Sequence, residues 1–274
     1  FLCLLSLMVS NSLNTKVKDK NDLVGLVSLP LAGELPLLSG KERKKLPLVV
    51  INSRSFMEEC FHILRNNTEL LLLPNPEKAS RVVFLTSTRT GEGKTFTALN
   101  LAAAYAQTGK KVLLIDGDLR KASLSAFCGG KNSRGLAHLL MNPLASPDSV
   151  LQSGENFPGF DIVPAGPVPP NPAALLTQGR FEDLIRYWRT RYDRIIVDGC
   201  PYEAVADASL MARHADLVLY LIRCGMIEKQ YVPSIQELAA RGEFQSVALI
   251  LNAENFKNSR FHYYSEYSGS KTAG

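Results

Sequence analysis

Lys94 and Thr95 carry the first chemical signal in this chain, because they follow two closely spaced glycines in the string Thr90-Gly91-Glu92-Gly93-Lys94-Thr95-Phe96. Glycines at 91 and 93 let backbone N–H groups approach phosphate oxygens, and a helix starting there adds a favourable partial charge. Lys94 can then reach the β- and γ-phosphates of a nucleotide, and the Thr95 hydroxyl can ligate Mg²⁺. Thr90 to Phe96 are therefore the candidate cofactor-binding residues. One position departs from the general pattern, since Thr88 stands where a glycine usually opens such a loop. Three carboxylates complete the candidate set: Asp116 and Asp118 in V-L-L-I-D-G-D-L-R, and Asp198 at the end of R-I-I-V-D. An acid delivered by a buried strand can hold the metal's shell or steer an attacking hydroxyl. The same acids could instead cap turns, and a glycine-lysine string can occur in a surface turn, so the surrounding elements decide.

Those elements have the required order. The apolar run Val82-Val83-Phe84-Leu85 reads as a buried strand entering the loop, and the alanine-rich stretch from Phe96 to Gln107 reads as the helix leaving it. Further strands are expected at Lys110–Asp116, Phe160–Val163, Arg194–Asp198, Leu217–Ile222 and Ser246–Leu251. Helices are expected at Ser53–Leu73, Phe181–Tyr192, Ala206–His214 and Ile227–Arg241, with one short helix around Leu136–Leu140. The proline-rich segment Pro164–Pro172 cannot be regular structure. Strands alternating with helices predict an α/β fold, a doubly wound, mostly parallel sheet of the P-loop NTPase kind flanked by helices.

The chain has 274 residues, 46% of them hydrophobic and 21% charged, which suits one large α/β domain with appendages or two small domains. Cys3, Cys60, Cys128, Cys200 and Cys224 are odd in number and far apart, which points to free thiols rather than a disulfide framework or zinc site. The four histidines show no metal spacing, and the net charge of +5 is scattered, giving no support for a nucleic-acid partner. Phe1–Val9 is almost continuously apolar but only nine residues long, so it is either a buried element or the cytoplasmic end of a transmembrane helix. Lys16, Lys18 and Lys20, which follow, favour the membrane reading. Asn21–Lys45 reads as a linker, with Pro30, Gly33, Pro36 and Gly40, closing in the basic cluster Lys41-Glu42-Arg43-Lys44-Lys45 that could meet anionic headgroups. At the other end, Asn252–Gly274 loses periodicity and carries Tyr263, Tyr264 and Tyr267 in what reads as a flexible tail.

Taken together, Thr88–Thr95, Val112–Arg120, Ile195–Pro201, the Pro164–Pro172 stretch and the tyrosine tail resemble the bacterial tyrosine kinase family, the Wzc-like regulators of capsule and exopolysaccharide assembly. The likeness runs from about Leu23 to Tyr267. It implies ATP and Mg²⁺ as cofactors and autophosphorylation of the C-terminal tyrosines, in trans, between subunits of a homo-oligomeric ring. Lys94, Asp116, Asp118 and Asp198 would be catalytic, Thr95, Asp116 and Asp198 would hold the metal, and Tyr263, Tyr264 and Tyr267 would accept phosphate. Asn252 matches the family position that meets the adenine base, with Arg223 a second candidate. Residues 1–45 would be the end of a transmembrane helix and its juxtamembrane linker, 46–252 the kinase domain and 253–274 the tail. The implied location is the cytoplasmic face of the bacterial inner membrane, and the implied partners are polysaccharide export and polymerisation machinery and a counteracting tyrosine phosphatase.

Two local departures accompany the resemblance. The family's E-x-x-R-x-x-R oligomerisation motif is here Glu59, His62 and Arg65, and its D-T-P-P or D-S-P-P is here Asp198-Gly199-Cys200-Pro201. Neither H-R-D nor D-F-G occurs, which excludes eukaryotic-type kinase chemistry. Two other functions remain open on sequence: a partitioning or positioning ATPase, which would carry a signature lysine where Arg89 stands, and a nucleotide-gated scaffold that transfers nothing.

Overall fold

A computed structural model describes residues 15–38, 55–72, 80–126, 134–154, 157–203, 206–242 and 244–256. In chain order these form β1 (Leu31–Pro36), α1 (Phe56–Leu71), β2 (Arg81–Ser87), α2 (Lys94–Ala106), β3 (Val112–Asp116), α3 (Leu136–Met141), β4 (Gln152–Gly154), β5 (Phe157–Val163), α4 (Pro172–Leu176), α5 (Arg180–Arg189), β6 (Arg194–Asp198), α6 (Asp207–Ala212), β7 (Leu217–Arg223), α7 (Val232–Ala240) and β8 (Val247–Glu254). The eight strands make one sheet in the order β1-β8-β7-β2-β6-β3-β5-β4, parallel throughout except where β4 runs antiparallel to β5. The expected doubly wound α/β architecture is therefore present.

Strand residues alternate between two cores, as period-two side chains must. Val82, Phe84, Leu113, Ile115, Ile195 and Val197 face one side, where α3, α5, α6 and α7 pack; Val83, Leu85, Leu114 and Ile196 face the other, under α1 and α2. Burial on both faces explains the continuous apolar runs that made these strands legible. The alanines of α2, with Ala98, Ala102 and Ala104 fully buried, let that helix lie close to the sheet. Helices as short as α3 and α6, six residues each, are not stable alone. They hold because side chains such as Leu139 and Met211 are buried, each contributing about 1.5–3 kcal/mol.

The expected linker Asn21–Lys45 needs correction over its first half. Asp19 caps a 3₁₀ turn at Lys20–Leu23, and Leu31–Pro36 adds to β8 as a parallel edge strand. The reason is packing: Ala32 and Leu35 are fully buried, and Gly33 leaves room for Leu64 of α1, whose Cδ1 would lie 2.9 Å from a Cβ at that position. Pro36 is tolerated because it ends an edge strand. Ahead of it, Val17 exchanges backbone hydrogen bonds with the turn after β7, donating to the Ile227 carbonyl at 2.9 Å and accepting from Gly225 N–H at 2.8 Å. The short strand β4 is not among the strands expected from the sequence, and Pro172, the last residue of the proline-rich segment, opens α4 at its first position, where a missing N–H costs nothing. Among the described residues no helix is long and apolar enough to cross a membrane. Phe1–Val9, Lys41–Lys45, Tyr263, Tyr264 and Tyr267 lie outside the described residues.

Gly199 shows why the tetrad after β6 departs from the family pattern. A Cβ there would sit 2.2 Å from Phe84 Cζ and 2.6 Å from the Leu85 carbonyl oxygen, so Phe84 occupies the space that a serine or threonine would need. Gly199→Ser should cost about 1–3 kcal/mol in urea unfolding. Combined with Phe84→Leu, it should cost less than the two single changes added, by at least about 0.5 kcal/mol; strictly additive losses would contradict the shared space.

Candidate nucleotide site

The loop between β2 and α2 is shaped by two left-handed glycines, Gly91 at φ 88° and Gly93 at φ 102°, conformations that side chains rarely adopt. Thr88 is absent from the positive-φ positions, so the loop entrance does not require glycine, and its hydroxyl lies 3.1 Å from Tyr220 Oη of β7. Packing therefore accounts for the first departure from the motif. Lys94 opens α2 and is buried, with Nζ donating to Ser87 Oγ at 2.9 Å and to the Arg89 carbonyl at 3.5 Å. Its ammonium is thus folded back over the loop. Burial lowers its pKa, opposed by the nearby Asp198, Glu92 and Asp118 carboxylates.

Asp116 and Asp198 end adjacent strands and are register partners across β3 and β6, while Leu85 of β2 pairs with Asp198 on the other side. The parallel sheet therefore brings the loop and both acids to one end, where such folds bind ligands. Asp116 is fully buried; Oδ1 accepts the Asp118 N–H at 3.2 Å and Oδ2 accepts the Leu124 N–H at 3.1 Å. Asp118 accepts the N–H groups of Arg120 and Lys121 at 3.2 and 3.0 Å, so it organises the turn that follows β3. Asp198 is different: it is 1% exposed, and neither of its carboxylate oxygens has a hydrogen-bond partner.

The electrostatics follow from this burial. Both acids are raised above the ordinary carboxylate range, by desolvation first; Asp198 and Asp118 repel charge on Asp116, and Asp118 repels it on Asp198. Thr95 and Lys94 pull Asp198 part of the way back, although the Thr95 hydroxyl falls short of a geometrically formed bond. An unpartnered buried carboxylate beside a threonine hydroxyl is the donor set that a hard cation takes. Among the described residues no three His, Cys, Asp or Glu side chains could hold a metal between them. The arrangement therefore suits an ion such as Mg²⁺, which completes its shell with phosphate oxygens and water.

Other candidate residues are distributed less simply. Thr90 is exposed at the loop tip and Thr95 is half-buried at the helix start. Phe96 turns its ring away to pack edge-on against Phe61 of α1, centroids 5.8 Å apart, leaving its backbone to serve the loop. Glu92 is fully buried and Asn252 is 6% exposed, and the two meet behind the loop. Arg223 Nη1 donates to the Gly91 carbonyl at 3.3 Å. On α1, Glu59 is exposed, His62 lies 3.8 Å from Glu58, and Arg65 donates to the Ala104 carbonyl near the end of α2. Sequence reasoning missed Ser87, which holds Lys94, and Asp207, a buried acid that pairs with Arg120 at 2.8 Å and ties α6 to the turn after β3. The position of Ser87 at the end of β2 and the presence of Arg120 two residues past Asp118 were the available signals.

A raised folded-state pKa means that the unfolded chain loses its proton first, so each such acid costs stability as pH rises from the unfolded pKa through the folded one. Asp198→Asn should therefore gain stability over the unsubstituted protein on going from pH 5 to pH 8 without metal. The gain is about 1.4 kcal/mol for each pH unit by which the folded-state value, raised to about 7, lies above 5, read as the difference in urea unfolding. A gap that closes as pH rises would contradict the assignment.

The sequence matches the CobQ/CobB/MinD/ParA nucleotide binding domain over residues 83–251. It is 33% identical to the tyrosine-protein kinase YwqD of Bacillus subtilis over 226 residues, covering 82% of this chain and 93% of that protein. It is 32% identical to the tyrosine-protein kinase wzc of Salmonella typhimurium, where the match covers 82% of this chain but only 31% of that longer protein. The kinase domain of Escherichia coli tyrosine kinase ETK superposes with a TM-score of 0.75 at 27% identity, covering 85% of this chain and 93% of that one. A matching domain, a one-third identity along nearly the whole of a short relative and the superposition on a solved kinase domain agree: the chain belongs to the bacterial tyrosine-protein kinase family, built on that nucleotide-binding domain.

Proposed function

We propose that this protein is an ATP-dependent tyrosine autokinase that modifies its own C-terminal cluster, Tyr263, Tyr264 and Tyr267, in trans between copies. The observation that carries the reading is the meeting of the Lys94 loop, Asp116 and Asp198 at the ends of three neighbouring strands, with Asp198 unpartnered. Lys94, released from Ser87, would neutralise the β- and γ-phosphates, and the loop N–H groups would hold them in line with the incoming phenol. Bound Mg²⁺, held by Thr95 with Asp116 and Asp198, would draw negative charge from the phosphate oxygens. A tyrosine hydroxyl with a pKa near about 10 arrives protonated. Asp116, whose basicity burial raises, would orient that hydroxyl and take its proton as the O–P bond forms and the bond to ADP breaks. Asp118 would act by shaping the turn.

The same reading places residues 1–45 as a membrane-proximal segment, from which the β1 strand joins the kinase domain, and residues 253–274 as the substrate tail. It sets the protein at the cytoplasmic face of the bacterial inner membrane, in a ring with other copies, serving polysaccharide polymerisation and export and opposed by a phosphatase. Each phosphotyrosine would add about −1.5 to −2 charge, and repulsion among modified tails would loosen the ring.

Incubation of the purified chain with Mg-ATP should yield phosphotyrosine on immunoblots, and Lys94→Met should lower the initial rate at least about 100-fold by removing transition-state charge stabilisation. Phosphate release without phosphotyrosine would instead favour a positioning ATPase, and nucleotide binding without turnover a scaffold. Replacing Tyr263, Tyr264 and Tyr267 together by Phe should remove most of the signal seen by mass spectrometry. Undiminished labelling elsewhere in the chain would contradict the tail as acceptor.

A further inference from the structure

Glu92 lies between the two left-handed glycines of the phosphate loop, yet it is fully buried and its side chain points into the protein. Its Oε1 accepts the Arg89 N–H at 2.5 Å, closing the loop on its own entrance, and its Oε2 accepts the Arg223 N–H at 3.2 Å, at the end of β7. Its backbone carbonyl accepts Asn252 Nδ2 at 2.6 Å, from the end of β8. Arg223 and Asn252 are register partners, so both attachments come from one rung of the sheet. The Asn252 amide is engaged at its other end as well, since Oδ1 accepts the Ala253 N–H at 2.8 Å. Ala253 itself sits at φ 60°, a left-handed conformation that disfavours alanine, at the point where the β1–β8 register shifts. Gly93 completes the contact: a Cβ there would lie 2.3 Å from Asn252 Nδ2.

We propose that Glu92 and Asn252 are positioning residues that form a strut behind the phosphate loop, setting the affinity for the phosphate chain of any nucleotide rather than selecting the base. The inference rests on the reading that this loop binds nucleotide phosphates. A loop with two glycines loses much backbone freedom when it orders around an anion. Holding it in place beforehand from two strand ends lowers that cost and therefore strengthens binding. Asn252 has both ends of its amide committed inside the protein, which suits a strut and leaves little of it to read adenine. The N–H of the left-handed Ala253 holds the amide oxygen while the amide nitrogen reaches the loop.

Calorimetric titration of the full chain with MgADP, MgGDP and magnesium tripolyphosphate tests this, using Glu92→Gln and Asn252→Ala at a temperature where circular dichroism shows each folded. Glu92→Gln keeps the side-chain shape but turns an N–H towards one of its two N–H partners. Both variants should lose affinity for all three ligands by a similar factor, at least about fivefold, the equivalent of one ordinary hydrogen bond, with the ADP-to-GDP ratio unchanged. Should Glu92→Gln fail to fold, Asn252→Ala answers alone. A loss confined to MgADP would make Asn252 a base reader and overturn the strut, as would affinities equal to those of the unsubstituted protein. Failure of the unsubstituted protein to bind any of the three would instead remove the nucleotide reading beneath it.

Discussion

Two carboxylates buried side by side, where β3 and β6 end, are the constraint on which the rest of this structure depends. Asp116 and Asp198 sit opposite each other in register, and both are withdrawn from water. Asp116 is compensated by two backbone N–H groups, whereas Asp198 has no partner for either oxygen. In a well-packed α/β core such a group is a standing cost, and its persistence is best understood as preparation for a cation and the phosphates that accompany it. The parallel sheet makes the arrangement possible, because every central strand delivers its carboxyl end to the same edge.

The loop that would bring those phosphates is controlled from behind rather than by its own sequence alone. Two glycines supply the conformations that phosphate-facing N–H groups require, and the ends of β7 and β8 take hold of Glu92 between them. Lys94, anchored on Ser87, stands within electrostatic reach of the Asp198 carboxylate. Around this centre, departures from the family pattern are absorbed by neighbours: Tyr220 meets Thr88 at the loop entrance, and Phe84 fills the space left by Gly199.

Much of this was legible in the sequence because burial on both faces writes strands as unbroken apolar runs, and because the glycine-lysine string and the acids at strand ends have spacings tied to chemistry. Val82–Leu85, Val112–Asp116 and Arg194–Asp198 were placed within two residues of where they lie. What escaped was set by contacts remote in sequence. Gly33 and Pro36 read as a linker, yet they belong to an edge strand because Leu64 packs on Gly33. Phe96 was grouped with the loop, but its ring belongs to α1. The Asn252 amide is turned to the loop backbone, a contact remote in sequence that no local pattern announces. The one-residue roles of Ser87 and Asp207 likewise appear only when α2 and α6 are docked.

The most direct measurement is the position of the metal. Crystals of the chain grown with Mn²⁺ and a non-hydrolysable ATP analogue would locate the ion by anomalous scattering. The account predicts a single strong peak between the Thr95 hydroxyl and the Asp198 carboxylate, bridged to the terminal phosphates, with Lys94 Nζ moved from Ser87 onto those phosphates. A nucleotide bound with its metal away from both Thr95 and Asp198, or Lys94 still seated on Ser87 beside bound triphosphate, would contradict it.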